Sequence, residues 1–261
     1  MSFFYVPTES EPLPEGLSVI TDISQLDTQI KHNVFGQIAA LSHEENDHGF
    51  MFAVSPETAE RSISDPNCCG LIVIKDTEIG PIVAGYAKIM PLTHSDMRLP
   101  PVYEFGGLVV NPDFRGHRLS EYIIRELTSE FLAKRAQEDI GEMPLIIATT
   151  KNAAAKRAFE KEWAYVGKFR GLPTMMALTC TCRPPFGNGL GTSNRDNGHM
   201  CRFRNDDEAM HKEGAIPCQL CIHDLELAQI YDRMILSQYS KDYANPLAQL
   251  VLDLNERNHY E

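Results

Sequence analysis

One stretch constrains this chain more than any other: Leu108-Val109-Val110-Asn111-Pro112-Asp113-Phe114-Arg115-Gly116-His117-Arg118-Leu119. An apolar, β-branched run from Val102 to Val110 stops at turn chemistry, and an amphipathic pattern begins directly after it. Leu119, Ile123, Leu127, Phe131 and Leu132 fall on one stripe, which predicts a helix over 118–136. A strand that turns straight into a helix leaves the amides of the first helical turn without internal acceptors. The helix dipole adds to their pull on anions. Gly116 lets backbone approach a ligand, while Arg115 and Arg118 supply fixed positive charge suited to phosphate. A pyrophosphate-bearing cofactor fits this arrangement.

The rest of the chain places that junction in an α/β fold. Pro7, Pro12 and Pro14 mark residues 1–16 as an irregular arm leading into a strand at Leu17–Ile20. Leu26, Ile30, Val34, Ile38 and Leu41 repeat at helical spacing over 25–41, and Ser55-Pro56-Glu57 signals the start of a second helix. Strands are expected at Gly70–Lys75 and Ile82–Met90, joined through Asp76–Gly80, and again at Pro144–Thr150. A helix over 153–162 and two strands within 164–182, joined near Gly171–Pro173, complete a mixed sheet. After Cys182 the prolines and glycines from Pro184 to Gly198 mark a boundary. The expected organisation is therefore a domain over 1–182 and a C-terminal extension over 183–261, a Gly/Pro-rich loop followed by helices near 222–239 and 246–256.

Composition narrows the partners. A formal net charge of -12 argues against nucleic acid, whose phosphates need clustered Lys and Arg. It is compatible with a cationic acceptor and equally with simple solubility. No run approaches the roughly 18 apolar residues that cross a bilayer, and the acidic, proline-bearing N-terminus does not resemble a secretion signal. No membrane partner is expected, and the expected compartment is the cytoplasm.

The junction resembles the acyl-CoA signature of the GNAT N-acetyltransferase superfamily, in which a strand ending in L-x-V is followed by x-P-x-F/Y-R-G and a helix. Arg118 and Ser120 stand where that pattern has glycine and glycine or alanine; a side chain at 118 can point away from the turn, and serine is nearly as small as alanine. Asn152, Ala155, Phe159, Glu160 and Lys161 resemble the family's N-x-x-A-x-x-x-Y-E-K helix. The usual G-F after E-K is replaced by Glu162-Trp163. The resemblance implies a mixed, mostly antiparallel central sheet flanked by helices. It also implies acetyl-CoA or another acyl-CoA as cosubstrate and transfer of the acyl group to a primary amine. Leu108, Val109 and Val110 would pair with the pantetheine arm, and Arg115, Gly116, His117, Arg118, Leu119 and Ser120 would hold the pyrophosphate. Asn152 would bind or shape the pantetheine channel, although asparagine there suits a helix N-cap equally. Phe159 occupies the place of a tyrosine that often protonates the leaving thiolate. Phenylalanine has no proton to give, so another donor, Tyr165 or water, would be required.

Glu104 is the expected base. It lies four residues before Leu108 and shares a face with it if no bulge intervenes; a carboxylate there could take the amine proton directly or through one water. A solvated or arginine-paired edge carboxylate is the competing reading. Amides near Val109 and Val110 could polarise the thioester carbonyl, and Gly106 and Gly107 would open space beside it. The acceptor would meet the first helices and the loop from His43 to Gly49, where Glu44, Glu45 and Asp47 could attract a cation or simply face solvent.

Five of the seven cysteines lie between Cys180 and Cys221. Cys180, Cys182, Cys218 and Cys221 form two close pairs that could hold a structural zinc, or act as small apolar side chains. Cys68 and Cys69 read as core or strand-end residues. A non-catalytic acyl-CoA-binding or interaction module is the alternative to an enzyme, and the sequence leaves open whether the tail mediates a homodimer.

Overall fold

The structure, a computed structural model, describes residues 12–47, 54–92, 100–138, 143–167, 175 and 215–239. Among the described residues seven strands and five α-helices follow one another: β1 (Ser18–Ile20), α1 (Thr28–Asp47), α2 (Pro56–Ser64), β2 (Cys69–Lys75), β3 (Ile82–Pro91), β4 (Val102–Val110), α3 (Leu119–Gln137), β5 (Leu145–Asn152), α4 (Ala153–Glu162), β6 (Tyr165–Gly167), β7 (Ala215–Ile222) and α5 (Leu225–Tyr239). The strands form a sheet in the order β1-β2-β3-β4-β5-β7-β6. The β1–β2, β2–β3, β5–β7 and β6–β7 pairs are antiparallel, and β4–β5 is parallel. The expected mixed, mostly antiparallel sheet is what the chain builds.

Contacts divide the chain into two compact units, Met1–Met90 with Gly106–Asp139 and Pro91–Phe105 with Ile140–Glu261. In the first unit, Val34, Phe35 and Ile38 of α1 and Ala59 and Ile63 of α2 pack with Ile72, Ile74, Val83 and Val109 of the strands. The α3 stripe is buried as its spacing requires, with Leu119, Ile123, Leu127 and Phe131 all 2% exposed or less. Each such side chain contributes about 1.5–3 kcal/mol when removed from water. Burial raises the Cys68 thiol above its ordinary range and pushes Cys69 up to about 11, with Glu130 adding to the latter, so both are inert core residues. Lys134 and Arg135, in the last turn of α3, donate to Pro66 O and Asn67 O and fix the segment that enters β2.

In the second unit one sheet face carries Val102, Leu145, Ile147, Leu220 and Ile222 against Ala228, Tyr231 and Ile235 of α5. Aromatic rings form a separate group there: Phe105 meets Phe159 and Trp163 edge-on, with centroids 5.5 and 5.6 Å apart.

Helix starts follow their capping chemistry. Asp27 accepts from Ile30 N, Ser55 from Thr58 N, Asn152 from Ala154 N and Ala155 N, and Asp224 from Leu227 N, so α1, α2, α4 and α5 each begin under a side-chain cap. The first helix departs from its expected bounds. A 3-10 turn at Ile23–Gln25 delays its start to Thr28, and with no Gly or Pro between Leu41 and Asp47 it continues to Asp47, so the expected loop from His43 is helical that far.

A strand that the sequence reading did not anticipate, β7, pairs with β5 on one side and β6 on the other. Pro217 hides it, because proline inside a run argues against a strand. The register explains how proline is tolerated: Thr150 faces Gln219 but Asn152 faces Ala215, so three residues of β7 oppose one of β5 around Pro217. The expected second strand before Cys182 and the helix at 246–256 lie outside the described residues. Among the described residues no helix is long and apolar enough to cross a membrane.

Candidate functional site

The strand-turn-helix junction lies entirely within the first unit. Asn111 anchors it: its N–H donates to Ala84 O at 3.0 Å, its side-chain amide donates to Val83 O at 3.0 Å, and its Oδ1 accepts from Asp113 N at 3.1 Å. From α1, Gln37 accepts from Val83 N at 2.8 Å and donates to Pro81 O at 2.9 Å. A helix side chain and a turn side chain therefore grip the same residue of β3. Asn111 was not among the expected site residues. An asparagine directly before proline at a strand end is a turn initiator, and that was the available signal.

Pro112–Phe114 then makes a single 3-10 turn, Gly116 adopts φ +87, and Arg118 adopts φ 56 and ψ 21. Arg118 is thus left-handed, the conformation glycine takes without penalty. The position where the family pattern has glycine keeps glycine's backbone although the residue is arginine. No side chain caps α3, in contrast to the other four described helices. A Cβ placed on Gly116 would meet nothing within 4 Å, so the turn is open on that side. Uncapped amides, an open glycine and two arginines fit a diphosphate. Arg115 and Arg118 are each paired: Arg115 Nη2 lies 2.9 Å from Glu45 Oε1 and its Nε donates to Val110 O at 3.2 Å, while Arg118 Nε lies 3.9 Å from Glu121 Oε2. His117 is exposed, Leu119 is buried beneath the turn and Ser120 is half-buried. His117, Arg118, Glu121, Tyr122 and Arg125 line a shallow depression closed by Pro12 and Pro14 of the arm.

Gly107 has φ +68, and a Cβ there would stand 3.2 Å from Tyr86 Cε1. Only glycine holds that conformation without strain. It interrupts the regular pleat between Glu104 and Leu108, so the four-residue count does not carry a shared face across it.

The second unit holds the other expected residues. β4 pairs with β5 only through Val102, Tyr103 and Glu104, whose partners are Leu145, Ile146 and Ile147; β4 itself runs on to Val110. Glu104 is half-buried, in register with Ile147, which faces Ile222, which faces Tyr165. Asn152 spends its Oδ1 on the cap of α4, at 2.7 Å from Ala154 N and 3.3 Å from Ala155 N, leaving its NH2 group as the part suited to a ligand. Phe159 is 3% exposed and packs into the aromatic group, its centroid 4.6 Å from that of Trp163. Tyr165 packs against the core cluster of this unit.

Of the four cysteines expected to hold zinc, Cys180 and Cys182 lie outside the described residues, as does the side chain of Cys218. Cys221 is a buried thiol in β7, outside any disulfide. Among the described residues no group of three or more His, Cys, Asp or Glu is arranged to hold a metal ion.

The site therefore combines a mixed α/β sheet with a strand that turns through an uncapped, arginine-bearing junction into a helix. The chain belongs to the acetyltransferase (GNAT) family, whose pattern matches residues 35–165, half of its length. Among solved structures, an acetyltransferase of the GNAT family from Staphylococcus aureus Mu50 is similar at 13% identity, covering 60% of this chain and 90% of that chain with a TM-score of 0.40. A chain of the NatC complex bound to Gag peptide and CoA is similar at 18% identity, covering 58% and 86% with a TM-score of 0.41. The ribosomal-protein-S18-alanine N-acetyltransferase from Escherichia coli is similar at 14% identity, covering 59% and 83% with a TM-score of 0.38. No curated protein matches the sequence.

Proposed function

We propose that this protein is an acyl-CoA-dependent N-acyltransferase that moves an acetyl or other short acyl group to a primary amine by direct attack on the thioester. The observation that carries the reading is the start of α3, the one described α-helix that begins without a side-chain cap, at the residues that resemble the family's acyl-CoA signature. The amides from Gly116 to Ser120, with Arg115 and Arg118, hold the pyrophosphate in this reading. Leu108, Val109 and Val110 offer strand backbone to the pantetheine arm, and the Asn152 amide NH2 donates to it. The chemistry is transfer of the whole acyl group, whose carbonyl carbon exchanges its bond to sulfur for one to nitrogen.

Glu104 takes the proton that the attacking nitrogen must lose, directly or through one water. As the C–N bond forms and the C–S bond breaks, amides of β4 near Val109 and Val110 stabilise the charge that builds on the carbonyl oxygen. Phe159 has no proton to give, and Tyr165 belongs to the strand row described above rather than to β4. Water, the alternative to Tyr165 as donor, protonates the departing thiolate in this reading. The acceptor is an amine, and its cationic character rests on the acidic balance of the chain. Glu45 is already neutralised by Arg115, which removes it from the acids expected to draw an acceptor.

The test is incubation of the protein with acetyl-CoA and a panel of primary amines, following free thiol, alongside calorimetry with CoA. Amine-dependent thiol release supports transfer. Binding without release across the panel points to the non-catalytic acyl-CoA-binding module, and absence of CoA binding by folded protein overturns the reading.

A further inference from the structure

Glu45 stands where its own helix disfavours it. It lies in the last turn of α1, at the negative end of the helix dipole, where a carboxylate is repelled. What holds it there is Arg115, across 2.9 Å. The two ends differ in exposure: the Arg115 side chain is 53% exposed and the Glu45 side chain 15%. The carboxylate is fixed and covered, while the guanidinium reaches from the turn into solvent. An ion pair with one end in solvent is partly screened and adds little to folding stability. Arg115 is one of two arginines on the turn that receives the diphosphate in the reading above. Arg118 is likewise opposed by Glu121, at 3.9 Å. Each arginine of the turn is thus answered by a carboxylate.

We propose that Glu45 competes with the cofactor's phosphate for Arg115 and thereby sets how tightly CoA is held and how fast it leaves. The inference rests on the proposed function. When phosphate draws Arg115 away, the Glu45 carboxylate at the helix C-terminus gives up that ion pair, which opposes binding. When the product departs, Arg115 returns to Glu45, which favours release. Glu45 is a positioning residue in this scheme and touches no reacting atom.

The experiment uses the full chain, with CoA as ligand, by calorimetry over a salt series and by stopped-flow release. E45Q keeps an oxygen acceptor for Arg115 but removes the charge, and is expected to tighten CoA roughly three- to fivefold, slow its release and steepen the salt dependence. E45D, which restores the charge, is expected to return CoA affinity toward that of the parent. In an R115A background the same E45Q change is expected to have no effect. Unchanged or weaker CoA binding by folded E45Q overturns the proposal, and so does equal tightening in the R115A background, which would reflect net charge alone. Failure of the parent protein to bind CoA is a different result and overturns the proposed function instead.

Discussion

Glu104 and Tyr165 stand in one row across the sheet, linked by the pairs Glu104–Ile147, Ile147–Ile222 and Ile222–Tyr165. They share a face but are three strand spacings apart, roughly 14 Å. Two groups at that separation, divided by two buried isoleucines, do not exchange a proton directly. E104Q is therefore expected to lower turnover at least tenfold while sparing CoA affinity, and Y165F to leave turnover within about twofold. Thiol-release kinetics with calorimetry check both; an unchanged rate in E104Q removes it as base, and a large loss in Y165F restores the phenol as acid.

Arg118 keeps a left-handed backbone that costs a non-glycine residue roughly 1–2 kcal/mol. R118G is expected to raise the unfolding midpoint by a few degrees, since its ion pair with Glu121 is exposed and long. The same change removes a charge from the turn, so CoA affinity is expected to fall several-fold. Thermal unfolding and CoA titration of one variant thus move in opposite directions, and a fall in both contradicts the strain argument.

Phe159 fills a space enclosed by Phe105 and Trp163. Restoring the family's usual residue with F159Y places a hydroxyl among carbon atoms, at a cost of about 1–3 kcal/mol where no partner meets it. The variant is expected to be less stable and no faster. A gain in turnover would show that this position faces the thiol after all, and denaturant unfolding with steady-state rates distinguishes the outcomes.

His223 follows β7 and lies edge-on to Trp163, with centroids 6.4 Å apart. Burial lowers its pKa below the ordinary 6.5, and Asp224 opposes part of that shift. A lowered folded-state value means that the unfolded chain takes up the proton first. The stability contributed by neutral His223 is complete above about pH 6.5, declines as the pH falls below it and is gone once the folded-state pKa is passed. Urea unfolding from about pH 8 to pH 5 is expected to show this decline, and H223Q to flatten it. Equal slopes in the two proteins would assign the acid sensitivity elsewhere.

Much of this architecture is written in local patterns. The α3 stripe is legible because Leu119, Ile123, Leu127 and Phe131 recur at one helical face and all end in the core. The Ser55-Pro56 start of α2 and the Asn152 cap of α4 are legible because capping depends on a few adjacent atoms. Three features are not local. β7 exists because β5 and β6 present edges that it satisfies, and that demand outweighs Pro217. Gly107 breaks the alternation of β4 through a torsion that period-two counting does not register. The Glu45–Arg115 pair joins residues 70 positions apart, so an acid read as an attractor for the acceptor or as a solvated side chain proves to be paired with the turn before α3.

The position of β7 also governs how the chain can be assembled during synthesis. Both the exposed edge of β5 and the three-residue strand β6 take their partner from Ala215–Ile222. A nascent chain that has emerged only as far as β6 carries the whole strand-turn-helix junction yet has an open sheet flank, the type of surface that recruits stray strands. Translation must pass residue 222 before that flank can close, so premature termination upstream of it would leave a signature-bearing fragment prone to aggregate.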